Sequence, residues 1–117
     1  MKKLYRVVEK EAWTEAKKTG KVPRCNADQK ADHVHLNTRE WVEYVAGVFF
    51  EPFEEPVVLE VDTSDFEKSI KWYPSTDEKP WEQPCAKIDN ISLNAVVKKY
   101  DLEHSPSDGK NQYKLID

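Results

Sequence analysis

Three glycines in 117 residues are too few for the loops that cradle phosphate groups, and neither G-x-G-x-x-G nor a Walker loop occurs. G-x-S-x-G is absent as well, which removes the common serine-hydrolase arrangement. Cysteine is scarcer still: Cys25 and Cys85 stand far apart without C-x-x-C spacing, and two such thiols stay free in a reducing compartment. No stretch approaches the roughly 20 apolar residues of a membrane span, and "MKKLYRVVEK" has a basic tip without the apolar run of a signal peptide. A cytoplasmic location is the expectation. A charge bias is also lacking. The 22 acids and 18 bases are interspersed and leave a net charge of −4, so there is no basic stripe to neutralise phosphates, and neither nucleic acid nor membrane is an expected partner.

What the chain does hold is aromatic and β-branched bulk. Four Trp, five Tyr and four Phe are more than a disordered chain carries, even with 34% charged residues. A chain of this length buries roughly two-thirds of its unfolded surface in one core, which predicts a single domain over residues 1–117.

"KLYRVV" at 3–8 suits a strand. In "EKEAWTEAKKTG" the helical offsets of Ala12, Trp13 and Ala16, with Gly20 as a stop, predict a helix over 9–19. Residues 20–32, with Gly20, Pro23, Asn26 and two Asp, read as a loop. In "DHVHL" an extended chain puts Val34 and Leu36 on one face and His33 and His35 on the other. Asn37, with Glu40 three positions on, reads as a capping box, leading into a helix whose apolar stripe is Trp41, Val42, Val45, Val48 and Phe49. Gly47 inside that helix costs about 1 kcal/mol relative to Ala, which suggests a close packing contact.

"EPFEEP" breaks the helix, and "VVLEVD" reads as a strand in the middle of a sheet. "TSDFEKSI" is a short helical turn capped by Thr63 or Ser64, "IKWYP" is another strand, and 75–86 is a proline-rich loop. Beyond it come a short strand, a turn near 92–94, a longer strand from about Val96, the Asp-Gly turn of "SPSDGK" and a closing strand in "QYKLI". About six strands and two main helices, with turns joining the strands of the second half, make an α+β fold.

Several stretches in this order resemble the domain-of-unknown-function 952 family. "ADHVHLNT" matches a motif of the form D-G-[FY]-I-H-L-S-T at His35, Leu36 and Thr38, with Asn37 at the serine position. "FFEPFEEPVVLEVDTSDF" is similar to the family's Phe-Phe followed by an apolar strand and an acidic residue, here Asp62. "IKWYPS" is similar to L-R-W-E-P-S, and "ISLNAVV" to P-L-P-L-D-A-V. The resemblance implies a bent, antiparallel-rich split sheet of ADP-ribosyltransferase-like type, holding NAD or a related nucleotide in a cleft. It implies that His35 with Thr38 grips ribose and amide, and that Trp72 or Tyr73 stacks on the nicotinamide. Transferases of this kind also use a glutamate, for which Glu60 and Glu82 are the nearby residues. Two departures count against catalysis. The family's P-H-[IL]-Y-G segment is here "PCAKID", its histidine replaced by Cys85 or Ala86, and the glycine before the histidine motif is missing.

The expectation is therefore a small-ligand or nucleotide-binding domain with a degenerate transferase-like cleft. Its alternatives are an active NAD-dependent ADP-ribosyl-transferring enzyme and a protein-interaction module. The candidate ligand-binding residues are His35, Asn37, Thr38, Trp72, Tyr73 and Trp81. Residues i and i+2 of a strand, about 6.6–6.8 Å apart on one face, bring two imidazoles within reach of one ion. No recognised ligand spacing joins His33 and His35 to Cys25, Asp28, Asp32 or His104, so no metal is expected. His35 has an equally good structural reading as a buried tie between strand and helix. Trp13 and Trp41 belong to the core, and for Trp81 packing is favoured over lining a cleft.

Overall fold

A computed structural model describes residues 2–116. The first strand, β1 (Lys3–Val8), runs into helix α1 (Lys10–Thr19). The helix stops at Gly20, whose φ of 80° lets its N–H reach the Ala16 carbonyl at 2.8 Å. β2 (Lys21–Pro23), α2 (Asn26–Ala31) and β3 (Val34–His35) follow, then α3 (Val42–Phe49). The rest is strands: β4 (Val57–Asp62), β5 (Ile70–Tyr73), β6 (Gln83–Ala86), β7 (Asn90–Ser92), β8 (Val96–His104) and β9 (Tyr113–Ile116).

Every strand pair is antiparallel, in three sheets: β1-β4-β8-β9, β2-β7 and β3-β6-β5. β4 lies between β1 and β8, at the centre that its unbroken apolar run predicts. It is covered on both faces. Val57, Leu59 and Val61 join Leu4, Val8, Val22, Val34, Leu36, Ala86 and Ile91 in one core, beneath α1. Val58 faces the opposite way with Tyr5, Val7, Tyr100 and Tyr113, against Val42, Val45 and Ala46 of α3. This alternation is the period of two of a strand read on a sheet with two buried faces.

The α+β architecture, the antiparallel pairing, the strands at 3–8 and 57–62 and the Gly20 stop agree with the sequence reading. Gly47 agrees too: a Cβ built on it would lie 2.6 Å from the backbone oxygen of Asn111. Other expectations need correction. The segment 20–32 is not a loop, because β2 pairs with β7, and Asp28 organises α2 by accepting the Cys25 N–H at 3.0 Å. The 75–86 loop contains β6, so nine strands are present among the described residues where about six were expected. Asn37 caps no helix. Its N–H and C=O pair with Tyr5 at 2.7 and 2.8 Å, a 3₁₀ turn at Arg39–Trp41 comes next, and α3 begins only at Val42. The apolar stripe of α3 is also narrower than predicted, since Val48 and Phe49 are more than half exposed. The short turn at Glu67–Ser69 follows Phe66, not a Thr63 or Ser64 side-chain cap. Among the described residues no helix is long and apolar enough to cross a membrane.

Candidate functional site

Asp28 is the anchor of the site, with no exposed surface. A carboxylate placed there needs every lone pair engaged. Arg6, projecting from β1 into the same core, donates to Oδ2 at 2.5 Å. The Cys25 N–H also reaches Oδ2, while the His35 N–H and His35 Nδ1 meet Oδ1 at 3.0 and 2.7 Å. Arg6 goes on to donate to the carbonyls of His35 and Pro23 at 2.8 and 3.4 Å. Burial alone raises the Asp28 pKa, but the His35 hydrogen bond, the Arg6 charge and the two backbone N–H groups together hold it well below the usual carboxylate range. The ion pair thus fixes the strand carrying His35 to the four-stranded sheet.

With Nδ1 held by Asp28, the other ring nitrogen of His35 is Nε2, on a side chain 28% exposed. Two residues adjoin His35, and a third packs on one of them. His33, two residues earlier, packs edge-on with its ring centroid 4.8 Å away, and Tyr73 of β5 lies 5.6 Å beyond His33. Cys85 is the cross-strand partner of His35 in the β3–β6 pairing. One potential ligand atom from each of His33, His35 and Cys85 lies within 4.8 Å of the other two. Burial lowers the His33 pKa, helped by the His35 ring beside it, and burial with the nearby Asp28 charge pushes the Cys85 thiol up to about 11.

Of the residues singled out from the sequence, His35 and Tyr73 meet on this face, joined through His33. Trp72 is adjacent to Tyr73 on the same strand and so points to the other side, 49% exposed. Asn37 is buried in its backbone pairing with Tyr5. The Thr38 hydroxyl is buried without a hydrogen-bond partner among the described residues. Trp81 belongs to the opposite core, 4% exposed against Trp41, Tyr44 and Phe49. Glu60 also lies on that far face, accepting from the Tyr5 and Tyr100 hydroxyls at 3.1 Å each, and Glu82 is exposed. The carboxylate on His35 is Asp28.

The sequence profile described as "Protein of unknown function (DUF952)" matches residues 7–98. The chain belongs to the DUF952 family. Among solved structures, a crystal structure of protein CC0527 from Caulobacter crescentus superposes with a TM-score of 0.77 at 22% identity, covering 95% of this chain and 94% of that one. A solution structure of the same Caulobacter protein gives 0.72 at 22% identity, covering 94% and 91%. At that identity the likeness establishes the fold alone. No curated protein matches the chain.

The DUF952 motif can now be read onto the backbone. Aligned without a gap, its glycine falls on Asp32, whose φ is 59°. Glycine suits that left-handed conformation, and Asp adopts it more readily than most residues. Of the two residues that replace the motif's histidine, Cys85 or Ala86, Cys85 is the one that pairs with His35, while Ala86 pairs with Val34. The sequence reading missed Arg6 and the anchoring role of Asp28. The signal for Arg6 was present: it is the charged residue in "KLYRVV" at a position whose neighbours on the same face, Leu4 and Val8, are core. Asp28, inside what read as a loop, carried no such signal.

Proposed function

We propose that the chain, over 1–117, is an intracellular small-ligand-binding domain whose binding face is built on His35. The observation that carries this reading is the two-sided environment of the ring. Nδ1 is tied to a buried carboxylate at 2.7 Å, whereas the remaining edge belongs to a partly exposed side chain beside a second imidazole, which itself packs on a tyrosine. A histidine held in one orientation is a preorganised hydrogen-bonding group, and the Tyr73 ring beside His33, with the Lys71 ammonium 5.1 Å over it, adds an aromatic and a cationic group to the same face.

A nucleotide such as NAD is the ligand class the family resemblance suggests. The residues suit the holding of a planar heterocycle better than transfer chemistry. Asp28 is already committed to Arg6 and His35, and Glu60 lies across the sheet. The ADP-ribosyltransferase-like cleft is therefore read as degenerate. The test is a thermal-shift series with NAD, ADP-ribose, nicotinamide and other nucleotides, run in chelator. A ligand present at 100 times its dissociation constant stabilises the native state by about 2.7 kcal/mol. A shift that disappears in His35→Asn supports the reading. Consumption of NAD promotes the transferase, and silence across the series puts the protein-interaction module ahead.

A further inference from the structure

We infer that His33, His35 and Cys85 form a binding site for a zinc-class divalent ion, with Asp28 orienting His35 from behind and a fourth coordination position facing solvent. The inference uses the same face as the ligand-binding reading but does not depend on any organic ligand.

Three observations combine. The potential ligand atoms lie within 4.8 Å of one another. Around a tetrahedral zinc with usual bond lengths, imidazole and thiolate ligand atoms are about 3.3–3.6 Å apart, so an ion would draw the three side chains closer together. Cys85 is the cross-strand neighbour of His35 in the β3–β6 pairing, and His33, one residue before β3, packs its ring edge-on against His35 at 4.8 Å, so the three side chains converge.

The second observation is the Asp28–His35 contact. Metal-binding histidines almost always give their other ring N–H to a carboxylate or carbonyl, which fixes the tautomer and raises the basicity of the ligating nitrogen. Asp28 meets Nδ1 at 2.7 Å and is itself held by Arg6 at 2.5 Å, so the nitrogen offered to an ion is Nε2. His33 has no comparable carboxylate among its described contacts and is the more adjustable of the two rings.

The third is ligand chemistry together with burial. Two imidazoles and one sulfur suit zinc and its neighbours, whereas magnesium and calcium take oxygen ligands. Cys85 is buried and both histidines are partly exposed, so three protein ligands lie on one side of the ion and the fourth position is open to water or a ligand, the arrangement of catalytic and ligand-accepting zinc sites. On binding, the Cys85 S–H proton leaves to solvent as the sulfur–metal bond forms.

The experiment uses untagged protein titrated with Co²⁺ and then with Zn²⁺. One equivalent of Co²⁺ is expected to give a sulfur-to-cobalt charge-transfer band that zinc abolishes. Cys25→Ser should retain the band and Cys85→Ser should lose it. His33→Ala and His35→Asn should each weaken zinc binding, and Asp28→Asn should weaken it about 10–100-fold. Cys85→Ser is nearly isosteric and its fold is checked by circular dichroism, so the result does not hang on the less conservative Asp28 variant. The absence of a charge-transfer band at stoichiometric Co²⁺, or zinc affinity unchanged in Cys85→Ser, overturns the site. Because no nucleotide is present, either outcome leaves the thermal-shift test of ligand binding independent.

Discussion

Arg6 and Asp28 form an ion pair at 2.5 Å with 6% and 0% of their side chains exposed. Such a pair carries a large desolvation cost, and removing one partner leaves the other charge buried and uncompensated. Asp28→Asn is therefore expected to lower stability by about 3–5 kcal/mol. Urea unfolding of the parent and variant measures it, and a loss below 1 kcal/mol would show that water reaches Arg6.

His35 can be divided into its two edges by choice of substitution. The amide nitrogen of Asn sits where Nδ1 does, so His35→Asn retains a donor to Asp28 and discards Nε2. We expect it to stay within about 1 kcal/mol of the parent, while His35→Ala, which leaves the buried carboxylate a donor short, costs on the order of 1–3 kcal/mol. Both should lose ligand. Equal stability losses in the two variants would mean that the Asp28 bond contributes little.

Gly47→Ala tests a sign. Helix propensity alone predicts a gain of about 1 kcal/mol. The added methyl would meet the Asn111 oxygen at 2.6 Å, and that segment is pinned by the Asn111 amide to the Gly47 and Phe50 carbonyls at 3.0 and 2.7 Å. The expected outcome is a net loss of roughly 1–3 kcal/mol from overpacking. Thermal unfolding reads the direction.

Trp81→Ala should behave as a core truncation, costing about 3–5 kcal/mol and leaving ligand or metal binding per folded molecule unchanged. Comparing denaturation midpoints with affinities at a temperature where both proteins are folded separates the two effects. A selective loss of affinity would return Trp81 to the binding face.

Glu60 gives a pH dependence with a definite sign. Burial raises its pKa, but the Tyr5 and Tyr100 hydroxyls and the Lys3 ammonium outweigh that and place it below the ordinary 4.5. A carboxyl whose folded pKa is depressed contributes stability that is complete above the unfolded value and fades as pH falls through the folded one. The stability difference between parent and Glu60→Gln should thus be constant above pH 4.5 and shrink below it, measured by unfolding free energy against pH.

The elements legible in the sequence are those whose own residues determine them. "KLYRVV" and "VVLEVD" are strands by composition, and Gly20 ends α1 by its backbone freedom. Those that were not legible depend on partners far away. β2 is a strand because β7 is there, and β6 because β3 and β5 flank it. The alternation of "DHVHL" correctly put His33 and His35 on one face. It was silent about the acid behind His35, because Asp28 reaches the ring from a neighbouring helix and not along the strand. Cys85 was likewise invisible as a neighbour of the histidines until the register set it opposite His35. Asn37 misled because a capping residue and a residue in a bridge to Tyr5 look alike in sequence.

The pairing of β1 with β4 also has a consequence during synthesis. Lys3 to Val8 find their partners at Asp62 to Val57, so the first strand leaves the ribosome long before the segment that will cover its edge. At ordinary elongation rates of about 5–20 residues per second, that interval is roughly 3–10 s. For that time the nascent chain displays an apolar strand with an unpaired backbone, the kind of segment that holding chaperones bind and that other chains add to.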